Sequence, residues 1–321
     1  MVEFTPVNLI TGFLGSGKTT LLQRLLADLA LGETAVLINE LGEVGLDHHL
    51  LGRIDDTMVL LPSGCVCCTI RGELSAAIKD LHSRRERGRV PAFRRLVVES
   101  TGLADPFPIL STVQADPVLR HHFRLGNVIA TVDAVNGLTR PESLKQVAVA
   151  DHLVLTKTDL VPDCEALVRE LRLLNPDAPL WRAAEQEIDT AALFDDEHHS
   201  TLRAFPATEE APHGSIHAFA VAFDGALDWT MFGVWLTMLL NRHGDAVLRV
   251  KGILNVAGSP TPVAVHGVQH LVHPPVHMAA WPDADRSSRL VFIVDGLERN
   301  AIERSLDAFL RPAAHARTAV A

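Results

Sequence analysis

A glycine-rich octapeptide near the N-terminus, Gly12-Phe13-Leu14-Gly15-Ser16-Gly17-Lys18-Thr19, constrains the start of the fold more than any other feature. The apolar run Val7-Asn8-Leu9-Ile10 precedes it, and Thr20-Leu21-Leu22-Gln23-Arg24-Leu25-Leu26, with leucines at helical spacing, follows it. Strand, glycine loop and helix stand in the order of a phosphate-binding loop. The glycines let the backbone close around phosphate oxygens, so that successive N–H groups and a helix N-terminus face the anion. Lys18 is placed to reach the β and γ phosphates and Thr19 to ligate Mg²⁺. Gly12, Gly15, Ser16, Gly17 and Thr20 complete the expected nucleotide site.

Downstream, short β-rich runs alternate with helical patterns. Thr34–Asn39, Leu96–Glu99, Asn127–Asp133 and His152–Thr156 read as strands; Glu73–Arg87, Pro106–Arg120, Pro141–Ala150 and Asp163–Leu174 read as helices. The alternation predicts βαβ units and an α/β domain with a mainly parallel sheet, whose ligands sit at the carboxyl ends of strands. Composition shifts after Leu193 to polar, turn-rich stretches around residues 195–200 and 209–214. The expected division is therefore a GTPase-type domain over 1–194, a linker over 195–214, a smaller α+β domain over 215–312 and a tail over 313–321. In the second domain Ser215–Phe223 reads as a strand, Trp229–Leu240 as a helix, and Leu248–Val256 with Pro262–Val272 as a hairpin. Leu290–Val294 follows as a strand and Glu298–Phe309 as a last helix.

Two motifs at predicted strand ends narrow the nucleotide. Leu96-Val97-Val98-Glu99-Ser100-Thr101-Gly102 puts an acid at the end of a buried strand, placed to hold Mg²⁺, with Gly102 N–H placed to sense a γ-phosphate. Leu155-Thr156-Lys157-Thr158-Asp159 resembles a guanine-recognition signature, with Thr156 in the usual Asn position. Asp159 can accept from guanine N1–H and the exocyclic amine, a pair adenine does not offer, which favours GTP over ATP. Lys18, Glu99 and Gly102 are thus the residues expected to serve hydrolysis. No motif marks a catalytic base or an arginine finger.

Between these motifs lie Asn39-Glu40-Leu41-Gly42-Glu43 and Gly64-Cys65-Val66-Cys67-Cys68, where a switch region belongs. Thiolates are soft ligands suited to Zn²⁺ and Cu(I), and a carboxylate or imidazole can complete a tetrahedron. His48 and His49 are the candidate imidazoles. Four cysteines in 321 residues are too few for a disulfide framework, so a cluster of three reads as metal-binding or redox-active, and Cys164 as a small residue that is buried or semi-exposed. The net charge of −10 argues against a nucleic-acid surface. The basic run at Arg84, Arg85, Arg87 and Arg89, broken by Glu86, reads as a solvated helix end. No apolar stretch is long enough to span a bilayer and no signal-type segment opens the chain, so a cytoplasmic location without membrane association is expected.

On these motifs the chain resembles the CobW-type GTPases, YjiA-like in particular, which are related to the GTPases of nickel insertion. The phosphate loop, Gly64–Cys68, Glu99-Ser100-Thr101-Gly102 and Thr156–Asp159 stand in family order. Asn39-Glu40-x-Gly42-Glu43, Lys251-Gly252 and Gly267-Val268-Gln269 extend the likeness over nearly the whole chain. The resemblance implies a metallochaperone that couples GTP hydrolysis to delivery of Zn²⁺, or alternatively Co²⁺, to a client metalloprotein. Cys65, Cys67 and Cys68 would be ligands, Glu40 and Glu43 auxiliary carboxylates, and a homodimer one form of the chain. Ile38 departs from a glutamate found there in some YjiA-like proteins, so no auxiliary metal site follows from that position. Two rivals remain open: a GTP-regulated zinc buffer or sensor, and a P-loop phosphotransferase with redox cysteines. His266, His270, His273 and His277 invite a second metal site, but in a strand His266 and His270 share a face while His273 points away.

Overall fold

The computed structural model describes residues 4–28, 33–39, 58–61, 69–184, 188–195 and 215–310. The chain divides into two compact units, one built from residues 1–172 and 178–198, the other from 173–177 and 199–321.

The first unit is a seven-stranded sheet, wholly parallel, with strand order β3-β2-β4-β1-β5-β6-β7. Its strands are β1 (Thr5–Gly12), β2 (Thr34–Asn39), β3 (Met58–Leu61), β4 (Arg95–Glu99), β5 (Phe123–Asp133), β6 (His152–Thr156) and β7 (Leu180–Arg182). The helices are α1 (Lys18–Ala27), α2 (Thr69–Glu86), α3 (Phe107–Ala115), α4 (Pro117–His122), α5 (Pro141–Val149), α6 (Glu165–Leu174) and α7 (Thr190–Phe194). A sheet covered on both faces needs continuous apolar strands, and β6 is buried at all five positions. One core joins Leu21, Leu22 and Leu25 of α1 to Ile10, Val97, Ile129 and Val154. By strand alternation Leu37, Val98 and Leu155, also buried, turn to the opposite face. Buried Asn8 is the polar exception inside β1: its Oδ1 accepts from Asn127 N at 2.8 Å, where the β1/β5 register shifts.

Two expectations need correction. The single helix over Pro106–Arg120 is two helices, because Asp116 takes an extended conformation and Pro117 cannot donate a backbone hydrogen bond. Asp116 instead caps α4, accepting from Val118 N at 2.9 Å and Leu119 N at 3.2 Å. The short strands β3 and β7 were not anticipated. The basic run is also not purely solvated: Arg84 pairs with Asp80, but Arg85 lies 4.6 Å over the Phe93 ring and donates to Thr5 and Phe93 O. Cys164, which the sequence leaves buried or semi-exposed, is buried.

The second unit is an antiparallel sheet in the order β11-β10-β9-β13-β8, with β12 also pairing to β10. Its strands are β8 (Ile216–Phe223), β9 (Val247–Leu254), β10 (Val263–Val268), β11 (Leu271–Val272), β12 (Val276–His277) and β13 (Ser288–Asp295). Helices α8 (Trp229–His243) and α9 (Arg299–Leu310) supply Phe232, Trp235, Leu240, Ile302 and Leu306 to a core with Phe219, Val250 and Phe292. Trp235 Nε1 donates to Ser305 Oγ at 3.0 Å, tying α8 to α9. The predicted hairpin is present as β9 and β10.

Candidate functional site

The motif residues converge because their strands end in one row. Ile38 and Ile10 both pair with Glu99, Gly12 pairs with Thr131, and Asp133 pairs with Thr156. Carboxyl edges of adjacent parallel strands thus bring together segments from five parts of the sequence.

The loop after β1 is a tight cradle. Gly12, Gly15 and Gly17 hold φ of 142°, 72° and 91°, which side chains disfavour. At Gly12 space forbids a side chain as well, since a Cβ would lie 2.2 Å from Thr131 Oγ1. Ser16 Oγ and Thr131 Oγ1 share a hydrogen bond of 2.6 Å beneath the loop. Gly17 opens α1 without a side-chain cap, so the first-turn N–H groups face the cradle. Lys18 is buried, and its Nζ donates to Gly12 O at 3.0 Å and Phe13 O at 3.1 Å, bridging the loop's mouth. Burial pushes the Lys18 pKa below the ordinary lysine value, while the nearby Glu99 charge pulls it back up. Thr20 lies in the same first helical turn.

Glu99 closes β4 and is buried; its Oε1 accepts from Thr19 Oγ1 at 2.8 Å. The following loop is anchored by Ser100, whose N donates to Ile10 O at 2.9 Å and whose Oγ donates to Thr11 Oγ1 at 3.0 Å. Gly102 then presses on the phosphate loop: a Cβ there would stand 2.4 Å from Leu14 N and 2.7 Å from Leu14 Cα.

On the other flank, Thr156 Oγ1 donates to Ser16 O at 2.8 Å and Val132 O at 3.2 Å. Threonine therefore has its own task here, tying the phosphate loop to β5 and β6. Lys157 takes a left-handed φ of 58° and donates to Asp133 Oδ2 at 2.6 Å. Asp133 is buried and also accepts from Val135 N and Asn136 Nδ2, both at 2.8 Å. Burial alone would raise its pKa; the bonds from Lys157, Val135 N–H and Asn136 outweigh it and hold the carboxyl below its ordinary value. Asp159 stands exposed in the short 3₁₀ turn Thr158–Leu160 that follows.

Sequence reading missed Thr131, Asp133 and Gln146. The strand-end rule would have found the first two, since β5 ends beside β1. Gln146 lies in mid-helix on α5, and no motif marks it. A cavity of about 260 Å³ opens beside the phosphate loop, lined by Phe13, Leu14, Asp133, Arg140, Ser143 and Gln146 among others.

Glu40, Glu43, His48, His49, Cys65, Cys67 and Cys68 lie outside the described residues. Among the described residues no group of three or more metal-ligating side chains gathers. His273 does not point away from His266: the turn at Gln269, with φ of 49°, brings the two rings to 6.4 Å. His270 instead contacts Leu240 O and Asp245, and His277 pairs opposite Val263.

Residues 6–182 match the family model described as CobW/HypB/UreG, nucleotide-binding domain, and residues 216–310 match the cobalamin synthesis protein cobW C-terminal domain. The chain is 36% identical to the zinc chaperone YjiA of Escherichia coli over 299 residues, 89% of this chain and 93% of that one. It is 28% identical to the zinc chaperone CobW of Pseudomonas aeruginosa over 349 residues, 94% of this chain and 90% of that one. The crystal structure of Zn(II)-bound YjiA GTPase from E. coli superposes with a TM-score of 0.73 at 30% identity, covering 96% of this chain and 99% of that one. No helix among the described residues is long and apolar enough to cross a membrane. With both domain models matched in order, and a relative above 30% identity along most of its length, the chain belongs to the CobW/HypB/UreG family.

Proposed function

We propose that this protein is a GTP-hydrolysing metallochaperone that couples the binding and hydrolysis of GTP with Mg²⁺ to the binding and delivery of Zn²⁺, or alternatively Co²⁺, to a client metalloprotein. The observation that carries the reading is the single row of strand ends. It sets the phosphate cradle, the Thr19–Glu99 pair and the Lys157–Asp133 pair side by side. Two relatives that align along nearly the whole length are named zinc chaperones.

In this reading the backbone from Gly12 to Thr19 wraps the phosphates. Lys18 exchanges the carbonyls of Gly12 and Phe13 for phosphate oxygens, and Thr20 joins the same site. Thr19 and Glu99 supply hard oxygen donors already in contact, a donor set that fits Mg²⁺. Held by these two residues, Mg²⁺ would supply positive charge that offsets the charge of the phosphates. Gly102 N–H reads the γ-phosphate. Asp159 reads guanine, with Thr156 and Lys157 setting its turn. Cys65, Cys67 and Cys68 take the cargo ion, with Glu40 and Glu43 as auxiliary carboxylates, and loss of the γ-phosphate releases the segment from Glu40 to Cys68. The nucleotide unit is assigned to 1–194 and the C-terminal domain to 215–312, joined by 195–214 and followed by a tail over 313–321.

A Zn²⁺ competition titration against a chromogenic chelator tests this, on wild type and a Cys65/Cys67/Cys68→Ser chain, without nucleotide and with a non-hydrolysable GTP analogue plus Mg²⁺. A thiolate-dependent site whose affinity moves with GTP is expected, and linkage requires Zn²⁺ to shift GTP affinity by the same factor. Thiolate-dependent binding indifferent to GTP would replace the chaperone by a passive buffer. No thiolate-dependent binding would end the metal reading.

A further inference from the structure

Gln146 of α5 is 1% exposed, and its Nε2 donates to two carbonyls of the loop after β4, Gly102 O at 3.1 Å and Ala104 O at 3.2 Å. Both partners can only accept, so the orientation of the amide is settled by chemistry. The NH₂ group faces the loop, and Oε1, buried without a hydrogen-bond partner, is left on the other side. The side chain also lines the cavity beside the phosphate loop.

The loop it holds is fastened at two other places. Ser100 ties the upstream end to Ile10 and Thr11, and Gly102 leans on Leu14 with no room for a methyl group. Downstream of Gly102, Ala104 N donates back to Thr101 O at 3.1 Å. Gln146 is the contact that brings a helix side chain to this turn, and it takes the carbonyl of Gly102 itself.

We propose that Gln146 is a positioning residue of the GTPase reaction. Its amide straps the Gly102 turn in the place from which Gly102 N–H meets a γ-phosphate, and so sets how strongly the protein distinguishes GTP from GDP. This rests on the reading of Gly102 given above. Contacts to the α and β phosphates belong to the Gly12–Thr19 backbone, whereas the strap acts on the loop assigned to the γ-phosphate. Removing it leaves two carbonyls without their donor and lets the turn relax away from Leu14.

The test compares wild type with Gln146→Met, which keeps volume and removes the donors, and Gln146→Glu, isosteric but setting a carboxylate against two carbonyls. Affinities for GDP and for a non-hydrolysable GTP analogue are measured with Mg²⁺, together with kcat and KM for GTP and a thermal melt. The GTP-analogue affinity of Gln146→Met should fall about tenfold, the worth of two neutral hydrogen bonds, while GDP affinity holds within about twofold. Gln146→Glu should lose more, and kcat should fall in both. Equal weakening of GDP and analogue would reduce Gln146 to a packing residue, and unchanged discrimination in either folded variant would remove the strap. A wild type blind to the γ-phosphate would instead sink the Gly102 reading beneath it.

Discussion

Asp133 shows how one side chain can serve geometry more than chemistry. It ends β5 in the row of functional strand ends, yet its carboxylate spends its acceptors on Lys157, Val135 N–H and Asn136. Lys157 is held in a left-handed conformation that an ordinary side chain resists, and the 2.6 Å contact is what fastens it there. Asp133→Ala should cost about 2 kcal/mol by leaving those donors without their acceptor, measurable by chemical denaturation at neutral pH. It should also weaken guanine-nucleotide binding, because the Asp159 turn starts at Lys157. The folded pKa of Asp133 is depressed, so its contribution is present above the unfolded value of about 3.9 and disappears as pH falls through the folded one. The gap between wild type and variant should therefore close only in acid. Little of this is legible in a sequence: Lys157 and Gln146 act on residues 24 and 44 positions away, and no local pattern encodes such pairs. The glycines were legible because the left-handed conformation and crowding at Thr131 restrict the residue type directly.

Among the elements, the junction of α3 and α4 is where periodicity misleads. Both halves carry helical spacing, so residues 106–120 read as one helix, but the Asp116-Pro117 pair turns the chain out and restarts it. Asp116 performs three tasks at that break. It caps α4, forms an ion pair with Lys79 of α2, and accepts from Ser75 Oγ at 2.6 Å. The Lys79 and Ser75 contacts, opposed by some burial and aided by the cap N–H groups, hold its pKa well below the usual carboxylate range. Asp116→Ala should lower stability by about 1–2 kcal/mol, the worth of a lost N-cap, and the difference should shrink below about pH 4 as the unfolded chain's carboxylates take up protons. A difference that persisted unchanged at pH 2 would contradict this account. The strands His152–Thr156 and Thr34–Asn39 carry the bounds read from sequence because their buried middles, Leu153 to Leu155 and Ala35 to Ile38, are continuously apolar. β3 and β7, four and three residues long, are too short to show any period, and their place in the sheet follows from neighbours.

For the molecule as a whole, two units with separate cores imply two melting events. Residues of α8, α9 and the antiparallel sheet form one core, and those of α1, α7 and the parallel sheet another. Calorimetry with GDP and Mg²⁺ should raise only one transition, by about 2.7 kcal/mol of added stability at a ligand excess of one hundredfold over Kd. A single transition shifted as a whole would show instead that the units unfold together. The α/β class and the order of the motifs were readable along the chain, because alternation of strand and helix patterns leaves few topologies open. Strand order was not, since it depends on which strands meet across long separations. That order also bears on synthesis. The earliest of the described strands along the chain, Thr5–Gly12, sits in the middle of the finished sheet between Arg95–Glu99 and Phe123–Asp133. A chain leaving the ribosome must therefore carry its phosphate loop unsheeted until residue 99 has emerged, and one edge of that apolar strand stays unpaired until residue 133 follows. Nascent chains halted before that point should be unable to retain nucleotide and should depend most on chaperones that shield apolar segments.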